Sequence, residues 1–106
     1  MASALIGKAA LAAGTEVQLG IAVPVNQTAI MNVSFVNRGA FPAKIRLSVG
    51  AGIGSADADA ISYDRTLLPN CEYEKMGMVL TAGEKIFVRS DVATVSARAH
   101  GLLEGA

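Results

Sequence analysis

The stretch AIMNVSFV, Ala29–Val36, decides the fold. Met31, Val33 and Phe35 fall on every second position, with Asn32 and Ser34 between them. Successive side chains of an extended chain point to opposite faces, so this spacing predicts a strand with one apolar and one wetted face. Asn37-Arg38-Gly39 then supplies residues that tolerate the dihedrals of a tight turn. Beyond it, Ile45, Leu47 and Val49 alternate with Lys44, Arg46 and Ser48, which predicts a second strand, either hairpin partner or close neighbour of the first. Pro42 stands near its start, where a missing N–H does least damage.

The same reading extends toward the C-terminus. GAGIGSADA, Gly50–Ala58, has no periodicity and reads as a loop. A short strand is expected at Ala60–Asp64, with Leu67 or Leu68 anchoring the approach to a turn at Pro69-Asn70. Glu72–Gly77 reads as extended chain with Tyr73 pointing inward. Thr81–Glu84 is a compact turn between Met78–Leu80 and KIFVRS, Lys85–Ser90. In that run Ile86 and Val88 share one face, and Lys85, Phe87 and Arg89 the other. Phe87 there is either an interface residue or packed under the alkyl stems of its neighbours. Val95, Ala97 and Ala99 alternate with Thr94, Ser96, Arg98 and His100 in the last strand, and Leu102 and Leu103 follow in an exposed-looking tail.

Toward the N-terminus, Thr15–Val25 is expected as a strand with Val17, Leu19, Ile21 and Val23 on one side and Pro24 ending it. Ala2–Ala13 suits a short helix by composition, but Gly7 argues against one, and a strand is the preferred reading. The tally is seven or eight strands at short spacing with Gly, Pro and Asn turns. That outline fits an all-β domain, a β-sandwich or jelly roll of mostly antiparallel strands, with an open barrel also compatible. One domain over residues 1–106 is expected, with 1–13 as first strand or assembly arm.

Composition narrows the function. The 106 residues carry nine basic and nine acidic side chains, with no block of like charge, so nothing draws the chain to a phosphate backbone or an anionic membrane. Hydrophobic residues make up 52% but aromatics only 5%, with no tryptophan, so the core must rest on Val, Ile and Leu between close layers. A single cysteine, Cys71, leaves no internal disulfide. MASALIGKAALAAG does not read as a secretory signal, because no basic segment precedes its apolar run and Lys8 interrupts it. Synthesis in a cytoplasm is therefore expected, with the final address open, and the Asn26 and Asn32 glycosylation patterns are read as chance.

No reaction centre emerges. His100 is the sole histidine and shares the polar face with Arg98; zinc or triad chemistry needs partners it lacks, and Ser96 sits in no nucleophile elbow. Cys71 has no adjacent base, and a Cys71–His100 dyad would need the fold to bring the two together. Gly50, Gly52 and Gly54 imitate a phosphate loop, but no Gly-Lys-Ser/Thr and no helix follow. Asp57 and Asp59, with Ser55 and Asp64, make a weak calcium match without EF-hand spacing. The scattered arginines do not interleave with Tyr63 and Tyr73 as a nucleic-acid surface would require. No catalytic, cofactor or metal residue is assigned.

Several phrases occur together in order: IMNVSFVNRG (Ile30–Gly39), KIRLSVG (Lys44–Gly50), ISYD (Ile61–Asp64), LTAGEKIFVRS (Leu80–Ser90) and VSARAHG (Val95–Gly101). In this the chain resembles small β-sandwich proteins of tailed-bacteriophage virions, found as head decoration, neck or tail accessory components. The resemblance implies a non-enzymatic structural role, binding capsid or tail subunits, self-association as a trimer or ring, and residence in the virion after synthesis in the host cytoplasm. It brings no catalytic residues. The expected assembly contacts are Leu5, Ile6, Leu11, Gly52, Ile53, Phe87, Leu102 and Leu103. The alternative is a carbohydrate- or receptor-binding module with Tyr63, Tyr73 or Phe87 as platform.

Overall fold

A computed structural model describes the backbone of residues 2–105 and the side chains of residues 7–105. The described residues form eight strands: β1 (Ala2–Ala10), β2 (Val17–Gln18), β3 (Gln27–Asn37), β4 (Ala43–Gly50), β5 (Ala60–Leu67), β6 (Glu72–Leu80), β7 (Lys85–Ser90) and β8 (Val95–Gly105). The helical content among them is one 3-10 turn, Asp57–Asp59.

The strands make two four-stranded sheets. Sheet 1 runs β1-β8-β3-β6 and sheet 2 runs β2-β7-β4-β5. Every neighbouring pair is antiparallel. The pairings β4·β5, β3·β6, β2·β7 and β1·β8 nest inside one another, and β3·β8 with β4·β7 then join the nested pairs into sheets. The chain is an all-β sandwich whose apolar faces meet between the sheets. Met31, Val33 and Phe35 of β3 share that interior with Ile45 and Leu47 of β4, Val88 of β7 and Val95 of β8. Ala43, Ala97 and Ala99 stand on the inner faces and are buried, which lets facing strands approach closely.

The two strands read first from the sequence lie in different sheets. β3 and β4 are not hairpin partners; residues 38–42 carry the chain from sheet 1 to sheet 2. Asn37 builds that corner. It is fully buried, and its Nδ2 donates to the carbonyls of Phe41 (2.8 Å) and Leu67 (3.1 Å). Its Oδ1 accepts from the Gly39 N–H and the Thr94 hydroxyl, both at 2.9 Å. One buried amide thus ties three connections with its polar atoms satisfied, as burial requires.

Each sheet contains a bulge. In β6, Met78 opposes Met31 but Lys75 opposes Val33, which leaves one extra residue. Gly77 takes φ +70° there, and its N–H donates to the Asn32 side chain at 2.9 Å. In β5, Ser62 opposes Leu47 but Arg65 opposes Ile45, and Asp64 takes φ 52°.

Three expectations change. Thr15–Val25 pairs as a strand only at Val17–Gln18, because Gly20 at φ 85° breaks the alternation. Leu19 and Val23 remain inside, while Ile21 turns out and is 65% exposed. The tail is not a tail: β8 continues to Gly105, paired with β3 from Gln27 onward. Of the two leucines before Pro69, Leu67 is buried and Leu68 is exposed.

Candidate assembly surface

The expected contact residues separate into three groups. Leu11 and Phe87 are 2% and 3% exposed and belong to the interior of the chain itself, which leaves them no surface for a partner. Leu11 joins the main core. Phe87 is buried apart from that core, on the outer side of sheet 2, where it stands in register between Gln18 and Ser48. Leu5 is opposite His100 in register, and Ile6 falls at the irregularity between Leu5 and Gly7; both side chains lie outside the described residues. Leu103 points inward and is partly buried against the core. Gly52, Ile53 and Leu102 do reach the surface.

Gly52 and Ile53 occupy the tip of the connection after β4. That connection is tied down at its base. Lys85 Nζ donates to the Gly52 carbonyl at 3.0 Å. The Glu16 carboxylate accepts from the Ser55 N–H at 3.0 Å and from the Ser55 hydroxyl. Asp59 accepts from the Ala56 N–H at 2.9 Å, and a Cβ at Gly50 would push that carboxylate aside. Ile53 is left fully exposed on a loop whose ends are held. A lone exposed isoleucine is ordinary; one presented on a fastened loop has little ordering entropy left to lose on contact.

The residues considered for chemistry do not converge. Among the described residues no three His, Cys, Asp or Glu side chains come together as a metal cluster. Cys71 lies beside Asn37 at one end of β3, its carbonyl accepting the Asn37 N–H, whereas His100 pairs with Asn32. Five residues of extended chain separate those positions, about 16 Å, so no Cys71–His100 dyad forms. Tyr73 is half-buried, with its ring 6.2 Å from that of Phe35, its hydroxyl 3.0 Å from Ser62 Oγ, and Arg65 over its face at 4.1 Å. Tyr63 is exposed, but Arg46 lies over its ring at 4.1 Å. With Phe87 buried, the three aromatic platforms do not gather into one sugar-binding surface.

Arg46 is the centre of an ordered polar group. The β5 bulge brings Asp64 and Tyr63 together beside it, and its Nε donates to Asp64 Oδ1 at 2.8 Å. That hydrogen bond raises the arginine pKa and lowers the Asp64 pKa from their ordinary values.

The outer face of sheet 1 is different. A trough of about 690 Å³ opens on it, lined by the small Ala10, Ser34 and Ser96 and by the longer Lys8, Arg98 and Glu72. Nearby, Ile30 (40% exposed) and Val79 (63%) lie in register with Leu102 on the same face. Sequence reading singled out only Leu102 here. Ile30 and Val79 occupy the outward positions of strands recognised by their inward residues, and that outward alternation was the available signal.

No protein-family model matches the chain, and no curated protein matches it in sequence. Among solved structures, a pentameric capsid protein isolated from metagenomic phage sequences is similar at 17% identity over 98% of this chain, with a TM-score of 0.38. The chain spans 65% of the length of that protein. No helix among the described residues is long and apolar enough to cross a membrane.

Proposed function

We propose that the chain is a non-enzymatic structural component of a phage virion that binds capsid or tail subunits in a decoration, cement or accessory role. The observation that carries this reading is the nested order β1-β8-β3-β6 over β2-β7-β4-β5. We read this nesting as the winding of an eight-stranded jelly roll, an architecture used for viral capsid domains. The ordered run of sequence phrases from Ile30 to Gly101 points the same way. Function resides in surfaces rather than in folds, so the binding elements must be named. The element offered is the fastened Gly52–Ile53 tip. Many weak contacts of this kind become strong when repeated over a symmetric shell.

The test is quantitative mass spectrometry on particles purified from a lysate of the phage that encodes the chain. The expected result is a fixed copy number per particle, lost when Ile53→Asp is carried by the phage while the free protein stays folded. Abundant chain in the lysate and none on the particles would refute the virion role.

A further inference from the structure

Four strands place their outward side chains in straight rows across the outer face of sheet 1. One row reads Lys8, Arg98, Ser34, Glu74 from β1 to β6. The next reads Ala10, Ser96, Val36, Glu72. Both rows put acid on β6, and the first puts base on β1 and β8. Arg38 adds to the basic side by donating to Ser96 Oγ at 2.9 Å. On the other side of the His100–Asn32 pair, the row is apolar: Leu102, Ile30, Val79.

Among the described residues these charges do not pair within the chain. Arg98 and Glu74 stand two strands apart, about 10 Å, and Lys8 and Glu74 three strands apart, about 14 Å. Glu74 accepts one hydrogen bond, from Ser34 Oγ at 3.0 Å. Among the described residues the ion pair formed is Arg46–Asp64, on the opposite sheet.

We propose that this face is a self-complementary surface on which a second copy of the chain docks, about a twofold axis parallel to the strands and lying between β8 and β3. Such an axis carries β1 onto the position of β6, and β8 onto that of β3, while keeping each row opposite itself. Lys8 then meets Glu74 of the second copy, and Glu74 meets Lys8. The apolar row meets its own image, with Leu102 against Ile30. Charge is antisymmetric across the axis and apolarity spans it, as an isologous contact needs. Four strands about 4.8 Å apart and about 30 Å long give at most roughly 570 Å² per copy, just under the standard range and in keeping with a weak contact. The twofold contact does not depend on the virion role, since it forms between free chains.

Sedimentation of the chain at about 100 µM tests it, a concentration that fills a micromolar contact. The parent should run at twice its 10.8 kDa mass. Ile30→Asp, on an exposed site, should weaken dimerisation more than tenfold with an unchanged circular dichroism spectrum. Ile61→Asp, exposed on sheet 2, should leave the mass alone. Lys8→Glu and Glu74→Lys should each weaken the dimer, and the double exchange K8E/E74K should restore it, because only reciprocal pairing survives a swap of sign. A monomeric parent would overturn the proposal, as would a dimer or larger ring indifferent to Ile30→Asp, or a double exchange no better than the singles. A parent chain that dimerises but is absent from purified particles would count against the virion role alone.

Discussion

The outer faces of the two sheets are built from similar strands and end in opposite conditions. That of sheet 2 is closed by the chain itself around Phe87, while Ile61 and Tyr63 stay exposed on its β5 edge. Arg46 is paired with Asp64 and stacked on Tyr63, Lys85 is engaged by Gly52, Glu16 by Ser55, and Phe87 is 3% exposed although it faces away from the core. The outer face of sheet 1 keeps an apolar row and separated charges in water. The difference follows from the connections. The segment between β4 and β5, residues 51–59, is rich in small residues and is fastened by Lys85, two residues before Phe87, and by Glu16. Every connection from sheet 1 crosses to sheet 2, so none returns over its own outer face. A sheet face with a long, pinned connection completes itself; one without it is left to a partner.

The sharpest way to break this comparison is to truncate one apolar side chain on each face. Phe87→Ala should destabilise the chain by about 3–5 kcal/mol, the cost of emptying a packed aromatic site. Ile30→Ala on the open face should cost under about 1 kcal/mol. Urea titration of both variants measures the gap. Equal costs would mean that Phe87 is not held by its surroundings and that sheet 2 is as open as sheet 1.

That contrast was only partly legible in the sequence. The inward positions of β3, β4, β7 and β8 could be read because strict alternation is the signature of one buried face. Phe87 defeated the rule: Lys85 and Arg89 beside it mark a wet face, and nothing local reveals that it is buried. The end of β8 was hidden for a different reason. Gly101 points inward where a Cβ would strike the Ile30 carbonyl, so the core position is filled by no side chain and the period vanishes. Thr15–Val25 misled in the other direction, because apolar residues at every second place did not disclose the backbone reversal at Gly20. Of the contact residues, Ile53 came out exposed on an unpatterned loop, whereas Leu11 and Phe87 are buried and Leu103 turns inward.

The bulges sharpen the comparison on the scale of single dihedrals. Sheet 1 places glycine at its left-handed position, Gly77, with open space around it. Gly77→Ala should therefore cost about 1–2 kcal/mol from the backbone alone, with no steric clash to add. Sheet 2 places Asp64 in the same region and holds it with Arg46. A smaller effect is expected at the loop anchor. Glu16→Ala removes the acceptor of the Ser55 N–H and should cost about 1 kcal/mol, with faster amide exchange confined to residues 51–56. Exchange that rises equally across both sheets would show that the loop is not a separate cover.

The smallest effect distinguishes charge from packing on the closed face. Asp64 titrates below its ordinary range because Arg46 hydrogen-bonds its carboxylate. A carboxylate with a depressed native pKa adds stability above its unfolded value and loses it as pH falls through the native one. The melting temperature of the parent should thus exceed that of Asp64→Asn near neutrality, and the difference should close as the pH drops below about 4. Because both side chains keep contact with water, the difference should be slight and should shrink further in high salt. A gap that persisted at low pH and in salt would assign the closure of this face to the bulge geometry and the Tyr63 ring, with the ion pair only following.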